Sequence, residues 1–246
     1  MTRTVRLALF TVAGAALAAL LFWSLAGLPD FGHYHWPYGK LLNAVVVNER
    51  HTTNVVGATV FDYRGIDTLG EEFILFTAVL GVALLLRKER EDVGAARDDV
   101  RSDGLRFLGL FTVAALFVLG LWVVAFGYVT PGGGFQGGVV LAGAFLLVYL
   151  VGGFRPYRTL APDSVVDFAE SAGAGAFAVL GFVGLAYESA YLRNFLGIGD
   201  TGTLYAGGSI PLLNWATAIE VCGAMVLLFS EFLEAYVTPA TRWQSR

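Results

Sequence analysis

The sequence predicts an all-α integral membrane protein of about six transmembrane helices, grouped two plus four, with both termini cytoplasmic. Three observations carry that expectation. Of the 246 residues, 56% are hydrophobic and only 15% charged. The apolar residues gather into several stretches of about 20, the length a helix needs to cross a bilayer core. The basic residues then fall preferentially on one side of those stretches.

Taken in order, the first span covers 6–28. It follows Arg3 and Arg6 and is longer than the apolar core of a signal peptide, so it reads as a retained helix. Between 41 and 63 the apolar run from Leu41 to Val47 is too short to cross and is followed by Asn48, Glu49, Arg50 and His51. It reads as a surface or re-entrant helix. A second span covers 69–87. Residues 87–106 mix both charges with few apolar side chains and belong outside the membrane as a solvated helix or tether. Four further spans follow at 105–128, 134–153, 165–187 and 211–235. The expected organisation is a two-span module over 1–88, a charged cytoplasmic linker over 89–104 and a four-span module over 105–246, with no internal repeat.

With the N-terminus inside, the cytoplasmic side receives Arg3, Arg6, Arg87, Lys88, Arg90, Arg97, Arg101, Arg106, Arg155, Arg158, Arg242 and Arg246. The outer side keeps Lys40, Arg50, Arg64 and Arg193. This is a positive-inside pattern to which every loop contributes. Topology thus explains the arginines, and a net charge of -4 describes no nucleic-acid surface.

The chain lacks the usual signatures of catalysis. It has no Cys-x-x-Cys or Cys–His pairing, no phosphate-binding glycine loop with its lysine and no serine elbow. No cofactor and no enzymatic step are expected. The lone Cys222 reads as a small packing residue, and His33 and His35 as ordinary loop histidines.

Two features stand out instead. The run from Tyr128 to Leu141 sets Pro131, Gly132, Gly133, Gly134, Phe135, Gly137 and Gly138 between two long apolar segments. Pro131 fixes the approach to the fourth span, and the spacings 133/137 and 134/138 suit close helix contact, as does 171/175 in the fifth span.

The second feature is a set of acids at or near membrane depth, where ionisable groups are costly and often functional. Asp67 and Glu71 share a helix face with Arg64 nearby, although Thr68 to Glu71 equally fits a capping box. Glu220 lies nine residues beyond Pro211, roughly 13 Å into a core about 30 Å thick. Glu231 follows on the same face with Glu234 beyond it, a stripe suited to a proton or cation relay. Asp163, Asp167 and Glu170 open the fifth span, where they complement the helix dipole and where Ser164 to Asp167 has capping-box form.

These residues resemble a known family. Pro131-Gly-Gly-Gly-Phe-Gln-Gly-Gly, followed two spans later by Gly207-Gly-Ser-Ile-Pro-Leu-Leu-Asn, is similar to the B subunit of multisubunit Mrp-type cation/proton antiporters, the MnhB family. Phe61-Asp-Tyr-Arg-Gly-Ile-Asp-Thr-Leu-Gly-Glu resembles the segment that ends the large A subunit of those complexes, or a small separate subunit of related hydrogenases. The resemblance covers about 53–237. It implies a multi-pass subunit of the cytoplasmic membrane, in contact with other antiporter subunits and the lipid bilayer, in an assembly exchanging Na+ for H+. Asp67, Glu71, Glu220 and Glu231 are the ion-path candidates, and Glu71 and Glu220 are the candidate Na+ ligands. Alternatives are an ion-translocating subunit of a hydrogenase or sulfur-reducing complex and a structural scaffold.

Overall fold

The computed structural model describes residues 3–28, 37–87 and 102–237. All regular structure among them is helical, and six helices are long and apolar enough to cross a membrane. His33, His35 and residues 89–101 of the expected linker lie outside the described residues, as does the side chain of Glu234.

The chain separates into two compact units, 1–41 and 42–246. The first carries α1 (Arg3–Ala26), none of whose residues is buried. In the second unit the end of α2 (Pro37–Arg50) leads through α3 (Val55–Ala58) and a π-helical turn (Thr59–Tyr63) into α4 (Gly65–Arg87). There follow α5 (Asp103–Ala125), α6 (Gly134–Gly152), the short α7 (Phe154–Leu160), α8 (Asp163–Glu188) and α9 (Ile210–Val237). Helix α4 packs into the same unit as α5 to α9.

Helix α9 is the axis of this unit: α4, α6 and α8 all pack against it, and α5 packs on α6. Glycine makes these approaches possible. A Cβ on Gly134 would lie 2.8 Å from Thr217 Cβ, and one on Gly138 would lie 2.9 Å from Val221 Cβ, so α6 runs alongside α9 with its backbone against that helix. On the other side of α6, Gly120 of α5 meets Leu141 and Gly137 meets Val124. The Gly134/Gly138 pair thus serves α9 and Gly137 serves α5. The Ser171/Gly175 pair is exposed, with nothing near Gly175; the buried small residues of α8 are Gly173, Ala174, Gly181 and Gly184.

The turn between α5 and α6 is held from three directions. Gly132 and Gly133 have φ of 156° and 151°, values that a side chain would strain. The Asn54 amide donates to the carbonyls of Gly127 at 2.6 Å and Thr130 at 3.2 Å, while its oxygen accepts from Val56 N and Gly57 N and so caps α3. Thr52 and Thr53 hydroxyls reach Tyr128 O and Val129 O. The Tyr128 hydroxyl donates to Leu204 O at 2.6 Å, and Asn214 of α9 donates to Val124 O at 2.7 Å. Asn54→Ala removes the cap and strips donors from the turn, a loss of about 2 kcal/mol. Thermal unfolding of the detergent-solubilised complex should then begin several degrees lower.

Neither expected capping box forms. Helix α4 begins before Thr68, whose hydroxyl donates to Val60 O at 2.6 Å, a carbonyl of the π-helical turn. Helix α8 begins at Asp163 behind Pro162, with no side-chain cap, and Asp163 pairs with Arg158 of α7 instead. At α4 the hydroxyl that the sequence pattern assigned to a cap is claimed by the preceding turn instead.

Candidate functional site

The sequence-predicted acids separate in the structure. Asp67 and Glu71 are both exposed on α4, and Asp67 pairs with Arg64 within its own turn. Glu220 and Glu231 are buried on α9, 0% and 1% exposed. Two further carboxylates join them: Glu72 of α4 at 0% and Glu170 of α8 at 3%.

The helix register orders these four along α9. Glu72 neighbours Thr217. A Cβ on Gly173 would meet Glu220 Cα at 2.6 Å, and one on Gly223 would meet Glu170 N at 2.6 Å. Helices α8 and α9 are therefore antiparallel, with Gly173 level with Glu220 and Glu170 level with Gly223. Read along α9, the carboxylates stand at the levels of 217, 220, 223 and 231, a span of about 21 Å by helical rise. That is most of the hydrocarbon thickness of a bilayer.

The electrostatics of the row are unusual. Both carboxylate oxygens of Glu72 and both of Glu220 are buried and make no hydrogen bond among the described residues. Thr217 is the neighbouring hydroxyl, but it donates to Leu213 O at 3.0 Å in its own helix. Neither α8 nor α9 contains a basic residue. A charged carboxylate left this way would lose its hydration without compensation.

A polar cluster sits where the row begins, at the Gly65 end of α4. Arg50 pairs with Asp62, its guanidinium lies 5.0 Å from the centre of the Tyr63 ring, and the Tyr63 hydroxyl donates to Glu49 at 2.6 Å. Burial, together with the bond to Glu49, pushes that hydroxyl up to about 12. Tyr63 therefore stays a neutral donor at any physiological pH. Near the Glu231 level, Tyr157 of α7 is fully buried, donating to Val226 O at 3.1 Å and meeting Ser230 Oγ at 2.8 Å. Among the described residues no group of three or more His, Cys, Asp or Glu side chains is arranged to hold a metal ion.

Glu72 was hidden beside Glu71. The signal that would have found it is the buried face of α4, where Thr68, Glu72, Val79 and Ala83 recur at helical spacing. Glu170 was assigned to the opening of its helix, yet it lies in the second turn of α8 and faces α9.

The comparisons agree with this architecture. The family described as a domain related to the MnhB subunit of Na+/H+ antiporter matches residues 105–227. An uncharacterized protein of Methanocaldococcus jannaschii is 28% identical over 213 residues, which is 78% of this chain and 81% of that protein. A probable A/B subunit of a K+/H+ antiporter from Rhizobium meliloti is 34% identical over 128 residues, 42% of this chain but only 13% of that much longer protein. Among solved structures, a chain of the membrane-bound sulfane sulfur reductase, an archaeal respiratory membrane complex, superposes with a TM-score of 0.72 at 30% identity, covering 94% of this chain and 99% of that one. A chain of the Mrp complex from Dietzia sp. DQ12-45-1b gives a TM-score of 0.70 at 21% identity, a likeness of fold that covers 98% of this chain and 27% of its counterpart. The chain belongs to the family of domains related to the MnhB subunit of Na+/H+ antiporters.

Proposed function

We propose that the chain is a membrane subunit of a multisubunit Mrp-type antiporter that exchanges Na+ for H+ across the cytoplasmic membrane, with both termini inside. The observation that carries this reading is Glu220. It is fully buried near the middle of the most central helix, with neither oxygen hydrogen-bonded, in line with three other buried carboxylates. A group in that state has a use for both a proton and a cation, and an exchanger needs sites where the two compete. Glu231 continues the path along α9. Asp67 and Glu71, exposed at the other end of the row, are placed to attract cations toward it. The chain's own role is transport, and the complex contributes the remaining subunits.

A second reading follows from the reductase chain, which this chain covers almost from end to end at higher identity than the Mrp chain. In that reading the same row moves ions driven by redox chemistry in neighbouring subunits. Purification of the native complex under mild detergent, with identification of its subunits, separates the two. Antiporter-type partners without redox proteins are expected. Stoichiometric co-purification of iron–sulfur or flavin subunits would favour the redox-coupled assembly.

A further inference from the structure

We propose that Leu192 is the plug of a gate at the end of the bundle where α4, α6 and α9 begin, and that withdrawal of the 189–193 turn admits water and ions toward Glu220. The gate deepens the transport reading given above and rests on it for its purpose, while one arm of its test reads the gate without any transport.

The layout of α9 makes a gate necessary at this end. Leu213, Ala216 and Glu220 fall on one face of the helix, and all three are buried. Leu213 and Ala216 belong to an apolar layer with Phe61 of the π-helical turn, Phe177 of α8 and Ile210, the two phenyl rings lying 6.3 Å apart. Since Gly173 is level with Glu220, Phe177 stands one turn nearer this end, and the layer covers Glu220 to a depth of about 10 Å by helical rise. Asn214, the polar side chain in this stretch of α9, projects about 120° around the helix from Glu220. Its amide donates to Val124 O of α5 instead. A hydrated ion does not cross a dry apolar constriction. A path from this end to Glu220 therefore needs a side chain of the layer that is able to leave.

Leu192 meets that requirement. It is buried in the same layer but comes from the turn that follows α8. Its side chain lies over Gly65, the first residue of α4, where a Cβ would be 3.4 Å from Leu192 Cδ1 and 3.6 Å from Leu192 Cβ. Its φ of 61° is left-handed, a conformation that a bulky side chain adopts only when its surroundings hold it. The restraint is a short one: the Leu192 amide donates to Gly181 O at 3.1 Å, and the Tyr191 hydroxyl donates to Ala178 O at 3.2 Å. Ser189, with φ of 62°, ends α8, so the turn opens on a second left-handed residue. Beyond the turn, Asn194 draws together the ends of 194–209. Its amide donates to Gly207 O and its oxygen accepts from Ser209 N, both at 2.8 Å, so this loop keeps its shape while the turn moves. Burial of one leucine favours the closed state and relief of its left-handed backbone favours the open one. The two effects are of similar size, which keeps both states within reach.

The test has two arms, both on the purified complex with Cys222→Ala as background. In the first, Ala216→Cys places a thiol behind the plug, and its modification by 2-aminoethyl methanethiosulfonate is followed by peptide mass spectrometry. Adding Leu192→Gly should speed that modification by roughly fivefold or more, because the side chain that closes the layer is gone. Leu192→Ala should move the rate in the same direction and serves if the glycine variant does not assemble. In the second arm, Gly65→Cys is combined with Leu192→Cys, whose Cβ separation of 3.6 Å suits a disulfide. Oxidation should lower cation exchange in proteoliposomes by roughly tenfold or more, as a lid held shut does, and dithiothreitol should restore it. The proposal is overturned if shortening Leu192 leaves modification at 216 unchanged, if the disulfide does not form, or if the oxidised complex exchanges as fast as the reduced one. Faster modification at 216 in a complex that moves no ions in any state would keep the gate and remove the transport reading.

Discussion

Replacing Glu220 by glutamine should abolish most of the exchange carried by the assembled complex, a loss of roughly 10²-fold or more, as when a group that must take and give a proton no longer can. The substitution keeps the length and planarity of the side chain, so the contacts of α9 with α4 and α8 survive. On the proposed reading, what disappears is the ability to bind a proton in one state and a cation in the other. The effect is large because no neighbour can take over: the nearest acids in the row stand at the levels of Thr217 and Gly223, on other helices. The check is cation-dependent collapse of a pH gradient in everted vesicles, normalised to the amount of complex. Wild-type exchange with an unchanged pH profile in Glu220→Gln would make Glu220 a satisfied structural group.

The largest effect on assembly should come from Gly173→Leu. At Gly173 the α8 backbone lies against the α9 backbone at Glu220, and a Cβ would come within 2.6 Å of both Glu220 Cα and Cβ. Those atoms are not flexible side-chain ends, so the helices must separate along a stretch that also holds Glu170 against Gly223. Overpacking of this kind costs about 3 kcal/mol or more. The recovered complex should fall to a small fraction of wild type. Gly175→Leu, two residues away on the exposed face with nothing within 4 Å, is the matched control and should leave the fold of this chain intact. Equal recovery of the two variants would contradict the packing derived for α8 and α9.

The six spans were legible because bilayer thickness imposes a length and an apolarity that few other structures share. Their edges were set by contacts no local pattern shows. Helix α4 starts at Gly65 rather than 69 because the π-helical turn and Thr68 bind each other. The close packing of Gly134, Gly137 and Gly138 was also legible, since the spacing of small residues is itself the signal. Which neighbour each glycine meets was not, and Ser171/Gly175 shows that the same spacing can face outward. For the acids, Glu220 could be found from depth alone. Glu72 could not be told from Glu71 by composition, because two adjacent glutamates point about 100° apart on a helix. Only the buried face fixed by Thr68, Val79 and Ala83 decides between them. Asn54 was invisible for a different reason: its partners lie more than 70 positions away in the glycine turn.

The most direct measurement is Na+ uptake by the purified complex in sealed proteoliposomes under an imposed pH gradient, with no electron donor present. Exchange driven by the gradient alone, lost in Glu220→Gln and retained in Gly175→Leu, is the expected result. Uptake that is absent until an electron donor is supplied, or that is the same in Glu220→Gln as in wild type, would contradict an antiporter whose ion path runs along α9.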